Sequence, residues 1–324
     1  MIENRKTKRL LAAVVAIIVL AGIVIVGIFS LTKLRSMYNN VLTKIDSISA
    51  SLSQSGTQTI LASRLYSFSY DWVETRQPVA HALGGIDGNT YTNSKEAFEY
   101  NYDKGLRVFE ADFQLTAEGV LVLLHDWPHF RSITGNEALD EPMSYAQFKS
   151  QTIMGRYTPL TCEDLMALML THPDAYIITD TKDKDIEFVK AQMSQLVWHA
   201  HQFDPAILDR IIIQIYSEEM LHYVMDAYPF SSVLITLYQF GSWRTDEDII
   251  NYCLSNGIRV VTVPLDRMNA EFATKINNAG LYSYVHTVND FDRIWELLDM
   301  GVTGIYTDFA TPDDFRVGVN PVAD

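Results

Sequence analysis

From Pro78 onward, short runs of apolar residues alternate with longer segments whose apolar positions recur at steps of three and four. The short runs predict strands at 79–82, 108–115, 120–124, 175–182, 211–216, 233–238, 259–263, 282–287 and 304–307. The longer segments predict helices at 94–104, 160–170, 186–201, 246–254, 270–278 and 291–298, with further helices in the remaining gaps. Thr161, with Asp164 three residues on, marks a helix start, and Gly257, Gly280 and Gly301 stand just past helix ends. Alternating strand and helix point to a parallel α/β fold, and the number of units suits a (β/α)8 TIM-type barrel. An open doubly wound sheet is the alternative. In a barrel, catalytic groups gather at the C-terminal strand ends, where His81, Asp180, Lys182 and His286 fall.

The run from Val108 to Leu115 alternates apolar and polar residues, and the next apolar run begins at Val120 after only Thr116-Ala117-Glu118-Gly119. So short a link cannot make a parallel crossover, so the two runs are expected to form an antiparallel hairpin. A turn centred between Ala117 and Glu118 sets Glu110 opposite His125, and Asp112 shares the face of Glu110. Two acids side by side among apolar residues repel each other and resist desolvation; a divalent cation, Mg²⁺ or Ca²⁺, relieves both penalties. A solvated edge strand carrying acids on its outer face is the plain alternative. Asp180 and Lys182 repeat the two-residue spacing and are expected to face the barrel mouth together. Asp180 then serves as a third metal carboxylate and Lys182 as a phosphate or leaving-oxygen contact, against the alternative of a buried structural ion network. His129, His172, His199, His201 and His222 fall in loops or helices and read as surface or packing residues.

Composition changes this picture mainly at the N-terminus. With 324 residues, 48% of them hydrophobic, the chain can bury one large core, and a net charge of −15 argues against nucleic acid as a partner. Residues 10–31 carry no charge and would span about 33 Å as a helix. Arg5, Lys6, Lys8 and Arg9 precede them, so a single-pass anchor in the cell membrane is expected, with the cytoplasmic tail at 1–9 and the bulk of the chain outside. A cleaved secretory signal is the alternative. Apolar positions from Leu34 to Leu52 step by four and three, which predicts a helical stalk over 32–64, ending in a Ser/Gln/Thr-rich linker. That stalk could pair two chains as a homodimer or remain a single amphipathic helix. A catalytic domain would then occupy 65–324. Cys162 and Cys253 lie far apart in helical segments and read as buried free thiols, a disulfide being permitted but not implied.

The motifs over roughly 78–310 resemble those of the glycerophosphodiester phosphodiesterase family, part of a superfamily with phosphatidylinositol-specific phospholipase C. His81 corresponds to the first histidine of the family's His-Arg-Gly motif, and Tyr91-Thr92-Asn93-Ser94 stands where the family has Pro-Glu-Asn-Thr. Glu110-Ala111-Asp112 matches Glu-x-Asp, His125-Asp126 matches His-Asp, and Arg131 and Gly135 follow in order. Asp180-Thr181-Lys182 matches Glu-x-Lys with a shorter acid. His286-Thr287-Val288-Asn289 stands for Trp-Thr-Val-Asn, and the run from Gly304 to Asp308 for the closing Gly-x-x-Thr-Asp. Ala82 takes the place of the motif arginine, Thr92 of a glutamate and His286 of a tryptophan, departures that bear on substrate more than on chemistry.

The resemblance implies a phosphodiesterase with a divalent ion on Glu110, Asp112 and Asp180, and with His81 and His125 exchanging protons as acid and base. It implies phosphate contacts from Lys182, Arg131 and Asn93, with His286 lining the pocket. An extracellular, membrane-tethered enzyme of this kind would meet lipid headgroups and polyol-phosphate polymers as phosphodiester substrates. A phospholipase acting on intact lipids and a non-catalytic phosphodiester-binding module are the rival expectations.

Overall fold

The computed structural model describes residues 66–240 and 244–316, so the expected tail, membrane segment and stalk lie outside the described residues. Among the described residues no helix is long and apolar enough to cross a membrane. The strands are β1 (Gln77–Ala80), β2 (Val108–Leu115), β3 (Leu121–Leu123), β4 (Tyr176–Asp180), β5 (Ile211–Ile215), β6 (Ser232–Thr236), β7 (Val260–Pro264), β8 (Tyr282–His286) and β9 (Gly304–Thr307). All but β3 are parallel, in the order β1-β2-β4-β5-β6-β7-β8-β9, and β9 returns to pair with β1. Closure distinguishes the TIM-type barrel from the doubly wound alternative, which would leave two edges. Helices cover the outside of the barrel, so most strands are buried on both faces and read as apolar runs.

The barrel interior follows from the two-residue period of its strands. Val79, Val108, Ile178, Ile212, Leu234, Val260, Tyr284 and Tyr306, one from each parallel strand, form an apolar cluster. Trp72 joins that cluster, its Nε1 donating to Ser232 Oγ at 2.8 Å. Two residues further along the chain from each of the eight come His81, Glu110, Asp180, Gln214, Thr236, Thr262, His286 and Asp308. The apolar floor and the polar mouth are successive turns of one alternation.

The helices appear within a few residues of expectation, and Thr161 and Asp164 form a reciprocal capping box at Cys162–Thr171. Cys162 and Cys253 are both buried and free. Three local expectations need correction. The hairpin register slips by one, pairing Phe113 with Leu123 and Leu115 with Leu121, so Glu110 does not face His125 across it. Gly119 adopts φ +79°, Thr116 N donates to Val120 O and Gly119 N to Thr116 O, which centres the turn on Glu118. The ladder also stops at Phe113, because the earlier part of β2 lies between β1 and β4. Strand β4 ends at Asp180, and Lys182 has φ +57°, so the same-face argument does not reach it. The first strand ends at Ala80, and His81 opens a short 3-10 turn.

Candidate active site

The turn after β1 is held in an unusual shape. Ala82 and Leu83 are left-handed at φ +50° and +66°, a conformation that costs a side-chain-bearing residue energy unless its surroundings fix it. They do so here. Asn101 Nδ2 donates to the carbonyls of Leu83 and Gly85, and Gly85 N donates to Asp308 O at 2.6 Å. A Cβ on Gly84 would lie 2.3 Å from Asn101 Nδ2, so only glycine lets that amide approach. The result points Ala82 N at Glu110 Oε2 (2.8 Å) and sets His81 Nδ1 2.9 Å from Asp308 Oδ1. Asp308 is itself fixed by Asn289, whose Nδ2 donates to Oδ2 at 2.6 Å.

Glu110, Asp112 and Asp180 are buried, and each offers an oxygen within 4.8 Å of the other two. Parallel pairing sets Asp112 beside Asp180, which brings acids nearly seventy residues apart in sequence into one cluster. Lys182 Nζ lies 2.7 Å from Asp112 Oδ1 and also contacts Asp180 Oδ2. Tyr216 OH donates to Asp180 Oδ1. One ammonium among three buried carboxylates leaves an excess of negative charge. Burial first, and then Asp112, pushes the Glu110 carboxyl well above its ordinary range. Burial opposes the charge on Asp112 too, but Lys182 and His81 outweigh it and hold that carboxyl low. An all-oxygen donor set with surplus negative charge fits a hard divalent cation.

His81 is buried, which alone would lower its pKa. The carboxylates of Asp308, Glu110 and Asp112 overcome that and raise it to about 9. A cation on the acids would remove much of this pull, leaving Asp308 as the partner that orients the ring. His125 is oriented likewise, with Nδ1 2.5 Å from Asp126 Oδ2. Asp126 also caps the helix Trp127–Thr134 by accepting from His129 N, so one carboxylate fixes both the helix start and the imidazole. Tyr91 stands between the two histidines, its ring centroid 4.6 Å from His81 and 4.8 Å from His125, edge-on to both.

His81, Glu110, His125, Asp180, Lys182 and His286 line one cavity of about 500 Å³, with Asp112 buried behind Lys182. Two expected phosphate contacts point elsewhere. Asn93 brackets Asp112, donating from Nδ2 to Oδ2 at 2.8 Å and accepting from Asp112 N at 3.1 Å, which fixes the carboxylate. Arg131 Nη1 donates to the carbonyls of Glu137 and Leu139, and Nη2 pairs with Glu141, so its guanidinium secures a neighbouring loop. His286 is kept neutral: burial, then the charge of His81, lowers its pKa to about 4. Sequence reasoning passed over Tyr91, Tyr216 and the tie between Asp308 and His81. It also set His129 aside, although that ring lies 5.9 Å from Tyr91. Strand periodicity could have marked Asp308, two residues past the inward Tyr306, but Tyr91 lies in a loop and His129 in a helix, where no such signal runs.

Residues 85–311 match the model of the Glycerophosphoryl diester phosphodiesterase family. A glycerophosphodiester phosphodiesterase of Bacillus subtilis (strain 168) is 26% identical over 259 residues, covering 74% of this chain and 84% of its own. The crystal structure of a glycerophosphodiester phosphodiesterase from Parabacteroides distasonis superposes with a TM-score of 0.60 at 18% identity, over 76% of this chain and 97% of that one. An Oleispira antarctica phosphodiesterase, solved in complex with the product sn-glycerol-3-phosphate, gives 0.61 at 15% identity over 75% and 96%. At such identities these two likenesses speak for the barrel alone.

Proposed function

The chain belongs to the glycerophosphoryl diester phosphodiesterase family and is a phosphoric diester hydrolase, and on that premise we propose how its own residues do the work. The observation that carries the reading is one cavity holding three clustered carboxylates and two imidazoles, each imidazole oriented by its own aspartate. Glu110, Asp112 and Asp180 would hold a divalent cation, which would supply charge stabilisation to the phosphodiester. Asn93 and Tyr216 keep Asp112 and Asp180 in place as ligands. Asp308 and Asp126 engage the Nδ1 atoms of His81 and His125, which leaves each Nε2 to exchange a proton with substrate. One imidazole accepts the proton of the attacking hydroxyl, from substrate or water, while the other donates to the departing alkoxide. Lys182, which borders the acids and lines the cavity, supplies a positive charge for a phosphate oxygen where Ala82 has none.

The substrates are glycerophosphodiesters, cleaved to glycerol phosphate and an alcohol. Residues 10–31 anchor the protein in the cell membrane with the catalytic domain outside, a reading supported by their lack of charge and by Arg5, Lys6, Lys8 and Arg9 before them. Turnover of a phosphodiester panel with metal and with EDTA tests the enzyme: loss of activity on chelation is expected, and full activity in EDTA would sink the metal site. Protease added outside intact cells should release a fragment starting near residue 65. A full-length domain in the medium, with its N-terminus beyond residue 31, would show a cleaved signal instead.

A further inference from the structure

The wall of the cavity opposite the acids has no part in the chemistry above. It includes the inward residues Gln214, Thr236, Thr262, His286 and Tyr306 of β5 to β9, with Tyr238 beyond β6 edge-on to His286. None carries a formal charge with His286 neutral. Thr236 and Thr262 are fully buried and Tyr306 nearly so, yet Thr236 Oγ1, Thr262 Oγ1, Tyr306 OH and His286 Nε2 make no hydrogen bond among the described residues. Thr262 and Tyr306 lie close enough to feel each other, but without hydrogen-bond geometry. Buried polar atoms are nearly always paired, so four adjacent unpaired ones facing a cavity describe a surface built for a ligand's polar groups.

The chemistry of these atoms selects the ligand. Hydroxyls and a neutral imidazole each donate and accept, as the hydroxyls of an alcohol do. We propose that this wall is a subsite for an uncharged, hydroxyl-rich alcohol esterified to the phosphate, such as a second glycerol, inositol or a sugar. The inference rests on the phosphodiesterase reading and adds the substrate class to it. A quaternary ammonium has neither an N–H donor nor an acceptor, so it would leave all four of these atoms unpaired.

The test compares kcat/KM of the full chain with Mg²⁺ on glycerophosphoinositol, glycerophosphoglycerol and glycerophosphocholine. The two polyol esters should exceed the choline ester by roughly tenfold or more. Thr236→Val and His286→Phe should shrink that ratio, and Thr236→Val should not lower the melting temperature, because its hydroxyl has no protein partner to lose. Turnover with the choline ester equal or preferred would overturn the subsite and leave the hydrolase standing. A Thr236→Val variant that melts lower while keeping the ratio would also overturn it. Absence of turnover on all three esters would overturn the hydrolase reading, and this inference with it.

Discussion

Two rings of side chains, one step of the strand period apart, divide the labour of this barrel. The lower ring, from Val79 round to Tyr306, is buried, apolar except at the Tyr284 and Tyr306 hydroxyls, and packed with Trp72. The upper ring, from His81 round to Asp308, is polar on every strand and opens to the cavity. Both use the same backbone, so their difference is one of side chains alone. The lower ring gains from removal of apolar surface from water, at roughly 25 cal/mol per Å². The upper ring, with Asp112 one step further along β2, works against that gradient, holding Glu110, Asp112 and Asp180 together where burial and repulsion disfavour their charge. What makes the upper ring tolerable is the rigidity of the lower one, supplemented by Asn93, Asn101, Tyr216 and Asp308.

The sharpest way to break the comparison is to remove ligand charge from the upper ring or from Asp112 just beyond it. Glu110→Gln and Asp112→Asn should each reduce turnover by about 10³-fold or more, because the cation's charge stabilisation is worth several kcal/mol, while circular dichroism stays native. Isothermal titration should show weaker Mg²⁺ binding in both; wild-type affinity in either variant would remove that residue from the metal site. His81→Ala and His125→Ala come next. Each should lose about 10²–10⁴-fold in kcat and largely keep substrate affinity, since proton transfer matters only as the barrier is crossed. A fall in affinity with kcat preserved would assign the histidines to binding.

In the lower ring the effect moves from activity to stability. Leu234→Ala should cost about 2–5 kcal/mol in denaturant unfolding, with kcat per folded molecule retained. A kcat loss comparable with that of the histidine variants would show that the two rings are not separable. The smallest expected effect concerns pH without metal. Glu110 is raised above its unfolded value, so its favourable contribution is complete below the ordinary glutamate range and is lost as pH rises through its folded pKa. In EDTA, wild type should therefore lose stability relative to Glu110→Gln as pH rises. A constant difference between the two would mean that the acids are relieved by something other than a proton.

Much of this could be read along the chain. The strand and helix alternation, the capping box at Thr161 and the chemistry of the three acids depend on local period and residue type, which a sequence displays directly. Membership of the family followed from motifs in order, and residues 85–311 bear it out. The two phosphate contacts assigned to Asn93 and Arg131 were not legible, because a polar side chain's partner depends on what the fold brings within reach. Asn93 met Asp112, and Arg131 met the carbonyls of its own following loop.

The sequence alone determined which residues could carry charge, protons and a cation, since composition and spacing are fixed before folding. Tertiary structure decided which of them share a cavity. A one-residue slip in the 108–124 hairpin moved His125 from a strand partner of Glu110 to a loop position tied to Asp126. Barrel closure brought Asp308 to His81 across 227 residues and set unpaired hydroxyls opposite the acids. Such pairings rest on contacts between strands distant in sequence, whose register is set by the packing of the whole barrel rather than by any segment of it.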